Sequence, residues 1–224
     1  MQTLALLHTG PVVIKPINDI VRSLMPDLRV VNLMDDSIVP EIYREGRITA
    51  PVHERLGALA RCALAAGAEA IVVTCSSISE MTGPMAESVG LPVFKIDEAM
   101  AIEAVRRGPR IGVVATLPTT LAPTCRLIES RAAELGATIT LHRELCDDAF
   151  DELSRGHPER HDALLRAAID RLSATQDVIV LAQASMARLL EGRDPDFGTP
   201  VLTSPLLGIT RVRDQLRERG LLAR

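Results

Sequence analysis

The fold is decided by a stretch that occurs twice: residues 67–78 read GAEAIVVTCSSI, and 108 positions later residues 175–186 read TQDVIVLAQASM. The same offset, without a gap, places residues 92–94 on residues 200–202 and residues 4–9 on residues 112–117. Identities are few, but turns, apolar runs and helix starts keep their spacing. A fixed internal period of this kind predicts two similar structural halves.

Apolar runs bounded by turn residues predict eight strands, near 2–8, 28–34, 69–74, 92–96, 110–115, 138–142, 177–182 and 200–203. Helical patterns lie between them, notably at 52–66, 119–135, 158–172 and 209–219. Alternation of strands and helices predicts parallel pairing through right-handed crossovers. The predicted fold class is therefore α/β, with two pseudo-symmetric halves, each a four-stranded parallel sheet flanked by helices. Two long connections at matched positions, 35–50 and 143–157, could close over a cleft.

Composition excludes several classes of protein. The net charge is −4 with no basic run, which argues against a nucleic-acid partner. No stretch of 18 apolar residues and no leader-like start are present, so we expect no membrane partner and a cytoplasmic location. The four cysteines lack zinc spacing, and the glycine-rich nucleotide motifs are absent. Neither Lys15 nor Lys95 has a recognisable pyridoxal-phosphate setting. From these three absences together we expect no metal and no cofactor.

Ligands of parallel sheets bind beyond the carboxyl ends of the strands, where loops run into helix N-termini. Four hydroxyl-rich loops lie at these predicted ends and supply the candidate binding residues, which are Thr9, Gly10, Ser76, Ser77, Thr116, Pro118, Thr119, Thr120, Ala184 and Ser185. Free N–H groups and the helix dipole favour an anion there. Because these loops contain no lysine or arginine, they suit a small carboxylate bound by neutral donors.

The internal repeat places Gln183 where the first half has Cys75. A thiol at a strand-to-helix turn is expected to have a lowered pKa, which makes Cys75 the first catalytic candidate. Gln183 is either an orienter that donates to a substrate carboxylate or a tolerated loop residue. His8 is either a second base or a hydrogen-bonded structural residue. The other cysteines, Cys62, Cys125 and Cys146, are interpreted as structural or incidental.

Two further histidines, His53 and His161, share a repeat position near helix starts. His53 follows the first long connection, so we place it near the mouth of the cleft. His161 is expected to be solvated.

Three segments resemble the aspartate/glutamate/hydantoin racemase superfamily, which includes the arylmalonate decarboxylase and maleate isomerase branches. They are VTCSS at 73–77, LPVFKIDEA at 91–99 and RIGVVATLPTT at 110–120. The resemblance covers essentially the whole chain. It implies halves of 1–97 plus 208–224 and of 98–207, with the active site in the cleft between them. It also implies that Asp97 and Glu98 begin a connecting helix rather than take part in chemistry.

The racemases of this superfamily need no cofactor and use one cysteine from each half, on opposite faces of the carbon next to a carboxylate. This chain matches the first at Cys75 and has Gln183 at the second. Three functions stay open: a one-thiol racemase or related isomerase, a decarboxylase of an arylmalonate-like diacid, and a non-catalytic carboxylate-binding protein. The expected partner is a small carboxylate substrate, and the sequence leaves a homo-oligomer open.

Overall fold

The computed structural model of the chain describes residues 2–190 and 197–222. It divides into two compact units. Unit 1 contains the residues up to Asp97 together with those from Pro205 onward, and unit 2 contains Glu98–Ser204. Each unit is built on one four-stranded sheet, so the predicted α/β class with two similar halves is confirmed.

The strands in chain order are β1 Thr3–His8, β2 Arg29–Met34, β3 Ala70–Val73, β4 Val93–Lys95, β5 Arg110–Ala115, β6 Thr140–Leu145, β7 Val178–Leu181 and β8 Val201–Thr203. The sheet of unit 1 has the order β2-β1-β3-β4, and that of unit 2 has the order β6-β5-β7-β8. All pairs are parallel. The carboxyl ends of the strands therefore meet at one edge of each sheet.

The α-helices in the described part of the chain are α1 Ile14–Leu24, α2 Ile38–Glu45, α3 Ala50–Ala65, α4 Thr82–Val89, α5 Glu98–Arg107, α6 Pro118–Glu134, α7 Asp147–Ser154, α8 Pro158–Ser173 and α9 Ser204–Glu218. The connections 35–50 and 143–157 are thus not open loops, because they contain α2 and α7. None of the helices within the described residues is both long and apolar enough to cross a membrane.

Alternate residues of β1 and β3 face two separate apolar layers in unit 1. Ala5 and Leu7 lie in a core cluster with residues of α2, α3 and α4. Leu4 and Leu6 lie in a second cluster with α1 and with Ile209, Val212 and Leu216 of α9. Because both faces of the sheet are covered, these strands are apolar throughout rather than alternating.

The core of unit 2 follows the same principle. Val114 of β5 and Ile179 and Leu181 of β7 pack against α7 and α8 through Ala149, Leu165 and Ile169, which are fully buried. The side chains that α8 buries recur at helical spacing, as an amphipathic helix on a sheet requires.

One glycine fixes how closely α9 approaches the sheet of unit 1. A Cβ atom at Gly208 would lie 2.0 Å from the carbonyl oxygen of Ile96, the residue that directly follows β4. Real Cβ atoms do not come this close to a backbone atom, so only glycine permits the contact. The helix therefore seals the sheet directly beside the carboxyl end of β4.

The difference in residue number between equivalent strands of the two sheets is not the same for every pair of strands. Leu4 pairs with Ala70 in unit 1, whereas Ile111 pairs with Val178 in unit 2. The offset is therefore 108 between β3 and β7 but 107 between β1 and β5. The gapless alignment placed His8 on Thr116, and this was wrong by one residue. The hydrogen-bond ladder aligns Thr9 with Thr116.

Candidate active site

Three polar residues lie at the same level at the carboxyl edge of the unit 1 sheet. Leu7 of β1 pairs with Val73 of β3, which pairs with Lys95 of β4. Two residues beyond these come Thr9, Cys75 and Asp97. The predicted convergence of the first and third strand ends is therefore present, and the fourth strand adds a carboxyl group.

Cys75 is half-buried and immediately precedes a 3₁₀ helix, Ser76–Met81. Its thiol is hydrogen-bonded by the Thr9 side chain and by the backbone N–H and side chain of Ser77. Burial nevertheless raises the pKa of the thiol above its ordinary value, and the charge of Asp97 adds to the rise. The expected lowering of this pKa was wrong, because desolvation outweighs the donors at the turn.

Asp97 is fully buried, and the sequence reasoning had not given it a role at the site. Its carboxyl group receives hydrogen bonds from Ser76, from its own backbone N–H and from Ser79, whose hydroxyl donates to Oδ2 at 3.2 Å. Its Oδ1 atom is buried without a partner. Burial raises the pKa of this carboxyl, and Lys95 opposes that rise. Register arithmetic between β3 and β4 was the signal that could have found it.

His8 is fully buried, and both of its ring nitrogens are engaged within unit 1. Nε2 lies 2.9 Å from Oδ1 of Asn32, and Nδ1 lies 2.8 Å from the Thr74 hydroxyl. Because the amide oxygen can only accept, Nε2 carries the proton and Nδ1 accepts from Thr74. Burial lowers the pKa of His8, which favours this neutral form. The arrangement leaves no free ring nitrogen for a substrate and ties the ends of β1, β2 and β3 together.

Gly10 follows Thr9 in an extended conformation, with φ −171°, which any residue can adopt. A Cβ atom there would meet nothing within 4 Å. The open space beside it is compatible with the predicted substrate contact, which stays a prediction.

At the equivalent edge of unit 2, Gln183 is bonded to Thr116. Its Oε1 accepts from the Thr116 backbone N–H at 2.7 Å, and its Nε2 donates to the Thr116 hydroxyl at 2.7 Å. By strand register, Thr116 occupies the position in unit 2 that Thr9 occupies in unit 1, and Thr9 bonds the Cys75 thiol. Both units therefore contain the same pair of positions in contact, with a thiol in one and an amide in the other.

The remaining candidates of unit 2 lie at helix starts. Pro118, Thr119 and Thr120 form the first turn of α6, where Pro118 is exposed and Thr120 is buried. The Thr119 hydroxyl is buried without a partner. Ala184 and Ser185 begin a 3₁₀ helix, Ala184–Leu190, directly after Gln183. Their contact with a substrate stays a prediction.

Two of the other cysteines lie on helices, and the third, Cys146, follows β6 at the carboxyl edge of the unit 2 sheet, where its backbone N–H donates to the carbonyl oxygen of Ala115 at 2.8 Å. Cys62 is exposed on α3, and Cys125 is buried within α6. Burial raises the pKa of Cys146 to about 11. None of these three stands at the carboxyl end of β1, β3, β5 or β7.

The two histidines at the shared repeat position differ in environment. His53 is exposed, whereas His161 is only 4% exposed, so the prediction that His161 is solvated was wrong. Its Nδ1 lies 2.7 Å from Asp162 Oδ1 and 3.0 Å from an Arg188 nitrogen. Arg188 also donates to Asp162 at 2.7 Å. Because Arg188 belongs to the 3₁₀ helix after Gln183, this cluster fixes that helix to α8.

Among the residues that the structure describes, no group of three or more His, Cys, Asp and Glu side chains is placed to hold a metal ion. The site residues are instead a thiol, hydroxyls, an amide and one buried carboxyl group.

Comparison with solved structures identifies the class of fold. The chain is similar to the aspartate racemase of Picrophilus torridus, with TM-score 0.75, 12% identity and coverage of 98% of this chain and 95% of that one. It is similar to the glutamate racemase of Francisella tularensis in complex with D-glutamate, with TM-score 0.73, 15% identity and coverage of 99% and 83%. A glycine-to-cysteine variant of arylmalonate decarboxylase gives TM-score 0.56, 21% identity and coverage of 95% and 93%. At these identities the likeness shows the fold alone.

Sequence comparison gives the family. The model of the Asp/Glu/Hydantoin racemase family matches residues 8–212, which is most of the chain. The chain therefore belongs to this family, as the three sequence segments had predicted. No curated protein sequence gives a significant match.

Proposed function

We propose that this protein is a cofactor-independent isomerase of the racemase type, which transfers a proton at a carbon next to a carboxylate, with Cys75 as its principal acid or base. The observation that carries the proposal is the hydrogen-bonded thiol at the carboxyl edge of the unit 1 sheet, held by Thr9 and Ser77. Family membership supports the isomerase class. The position of the substrate relative to the two units stays a prediction.

The reaction needs a group that accepts or donates a proton at carbon and donors that stabilise the resulting enediolate. The thiol performs the first task. Thr9, Ser76 and Ser77 are assigned the second task. We propose that donors which hold the thiol or the neighbouring carboxyl group in the free protein turn to the enediolate when substrate binds, because neutral donors aimed at developing negative charge lower the barrier without neutralising the base. In unit 2, Thr119 offers a hydroxyl that has no partner in the protein. We assign it to a carboxylate oxygen.

His8 is proposed to position these groups rather than to exchange protons with the substrate. Its two hydrogen bonds join Asn32 on β2 to Thr74, which directly precedes Cys75. Gln183 is proposed to orient a substrate carboxylate, with Thr116 holding its amide group in place.

A decarboxylase of a malonate-like diacid is the second candidate, and the raised pKa of the Cys75 thiol favours it. A thiol that rests in its protonated form is ready to donate. In decarboxylation the bond between the carboxylate and the carbon breaks, its electron pair forms the enediolate, and CO₂ leaves. The thiol proton then goes to carbon, and water restores the proton to the thiolate. A racemase would need Cys75 as thiolate for abstraction and a second group to return the proton on the opposite face.

One experiment separates these candidates from a non-catalytic carboxylate-binding protein. The protein is incubated in D₂O with a panel of amino acids, hydantoins and malonates, and NMR follows deuterium exchange, isomerisation and CO₂ loss. Exchange with isomerisation supports the racemase, and CO₂ loss with one-sided deuteration supports the decarboxylase. Binding without turnover across the panel would leave only the carboxylate-binding protein.

The same assay tests the expectation that no metal or cofactor is needed. Extensive dialysis against a chelator should leave turnover intact. An activity that is lost in this way and restored by a divalent cation would contradict the proposal.

A further inference from the structure

Unit 1 contains a buried carboxyl group that the proposed reaction does not use. Asp97 lies level with Cys75 at the end of the adjacent strand, because Val73 and Lys95 are paired two residues earlier. It is 0% exposed, although an aspartate is rarely buried without a compensating charge. Because burying a carboxyl group costs free energy, we expect Asp97 to have a role that requires its charge.

The hydroxyls of the 3₁₀ helix Ser76–Met81 are divided between the thiol and the carboxyl. Ser77 bonds the Cys75 sulfur, whereas Ser76 and Ser79 bond Asp97. Ser79 Oγ also lies 3.2 Å from the carbonyl oxygen of Ser76, so it ties the carboxyl group to the backbone of the turn. The carboxyl group and the thiol are thus both held by hydroxyl groups of one short helix.

The equivalent positions of unit 2 provide an internal comparison. The offset of 108 holds for β3 with β7 and for β4 with β8. At this offset Ser76, Ser79 and Asp97 correspond to Ala184, Ala187 and Pro205. The carboxyl group and both of its hydroxyl donors are therefore absent from the half that has Gln183 in place of the thiol. Their presence together with Cys75 indicates a function linked to the thiol rather than to the sheet.

We propose that Asp97 is a positioning residue of the cysteine site, which holds the 3₁₀ helix through Ser76 and Ser79 and whose negative charge keeps the neighbouring Cys75 thiol protonated. The inference deepens the proposed function and rests on it, because it concerns the proton that Cys75 donates to carbon when it acts as the acid. Of the titratable groups near the pair, Lys95 on β4 acts on Asp97, burial lowers the pKa of His8 at the end of β1, and Glu80 of the 3₁₀ helix is exposed.

The test is the pH profile of Cys75 alkylation by iodoacetamide, followed site by site with mass spectrometry. Asp97→Asn keeps the size of the side chain and its acceptor for the serine hydroxyls but removes the charge. Without the opposing charge the thiolate forms more readily, so alkylation of Cys75 at pH 8 should be roughly threefold faster or more, with the profile displaced to lower pH. Glu80→Gln is the matched control, since it removes a carboxylate from the same 3₁₀ helix and should leave the profile unchanged.

The pH profile of Cys75 alkylation in Ser79→Ala is a second test, which does not require Asp97→Asn to fold. Loss of one donor makes the Asp97 carboxylate harder to form, so the profile should move in the same direction by a smaller amount. Folded Asp97→Asn protein with the wild-type profile would overturn the proposal. If Asp97→Asn does not fold, an unchanged profile in Ser79→Ala overturns it instead.

The alkylation profile needs no substrate, so this inference and the proposed function fail separately. A displaced profile in a protein that turns over no member of the substrate panel would support the role of Asp97 and contradict the proposed enzyme. An active enzyme whose alkylation profile is the same in wild type and Asp97→Asn would support the proposed function and contradict the role of Asp97.

Discussion

The carboxyl edges of the two sheets place equivalent residues in contact and give them different chemistry. In unit 1 the threonine after the first strand, Thr9, bonds a thiol. In unit 2 its equivalent, Thr116, is bonded twice by the amide of Gln183. The amide satisfies its partner with both of its ends, while the thiol keeps a proton that can be transferred. The same backbone position therefore holds a thiol in one unit and an amide in the other, to which we assign the reactive and the orienting role.

The burial of the two groups differs in its consequence. Desolvation disfavours the thiolate and so changes the chemistry of Cys75, but it has no such effect on an amide, which does not ionise. A pair of duplicated edges can thus diverge in function while the hydrogen bond between the two strand ends is kept.

The largest expected effect is that of removing the thiol. Cys75→Ser keeps the shape of the site but makes proton transfer at this atom far less favourable, so turnover should fall by roughly 10² to 10⁴. The measurement is kcat with whichever substrate the panel identifies. Cys62→Ser, at an exposed cysteine of the same unit, is the control and should retain wild-type activity. A fully active Cys75→Ser enzyme would contradict the assignment.

Making the two edges alike is the next test. Gln183→Cys gives both edges a thiol, so deuterium from D₂O should enter at the second face of the carbon about an order of magnitude faster than in wild type. Any enantiomeric excess of the product should decrease accordingly. Chiral analysis of the product measures both effects, with Gln183→Ser as the variant that makes a similar cavity without a thiol. Equal exchange at both faces in the wild-type protein would show that the site is not one-sided.

The two threonines form a matched pair of substitutions. Thr9→Val removes a donor to the thiol, which raises the pKa of Cys75 further, and should reduce turnover roughly tenfold. Thr116→Val removes only the hydroxyl that Gln183 bonds, so it should cost about 1 kcal/mol of unfolding free energy and change turnover by less than about threefold. Urea unfolding and kcat, measured on both variants, decide the comparison. Similar losses of turnover in the two would mean that both edges serve the reaction equally.

The smallest expected effect concerns His8 and pH. Because its folded-state pKa lies below the ordinary value of 6.5, the unfolded chain binds the proton first, and stability should fall as the pH decreases below about 6.5. The slope for one group is at most about 1.4 kcal/mol per pH unit. Urea unfolding of wild type and His8→Gln between pH 7.5 and 5.5 measures it. The variant should be less stable at pH 7.5 but should lack this slope, whereas exposed His53→Gln should keep it.

The sequence was sufficient for the architecture because its strands are buried on both faces. Continuous apolar runs such as Ile71–Val73 can be recognised without knowing their neighbours, and parallel crossovers then leave few arrangements. Thr9, Cys75 and Ser77 were placed together for the same reason, since loops at adjacent strand ends must converge.

The features that could not be predicted from the sequence depend on strand register to within one residue and on which side chains are buried. A slip of one residue between β1 and β5 concealed that Thr116 is the equivalent of Thr9. Asp97 was set aside because the family resemblance implied that it begins a connecting helix rather than takes part in chemistry, and its burial could not be read from the sequence. His161 turns inward because α8 buries a face displaced by one residue from that of α3, as the buried His161 and exposed His53 show.

The separation of unit 1 into two chain segments has a consequence for synthesis on the ribosome. Its core includes Ile209, Val212 and Leu216, which are translated after the whole of unit 2. Unit 2 is continuous, so its sheet can close while the last helix is still being made. We expect the half with Gln183 to fold first, and the half with Cys75 to stay open until α9 has been translated. A nascent chain stalled before residue 205 should therefore protect unit 2 from protease and leave the cysteine-bearing half accessible.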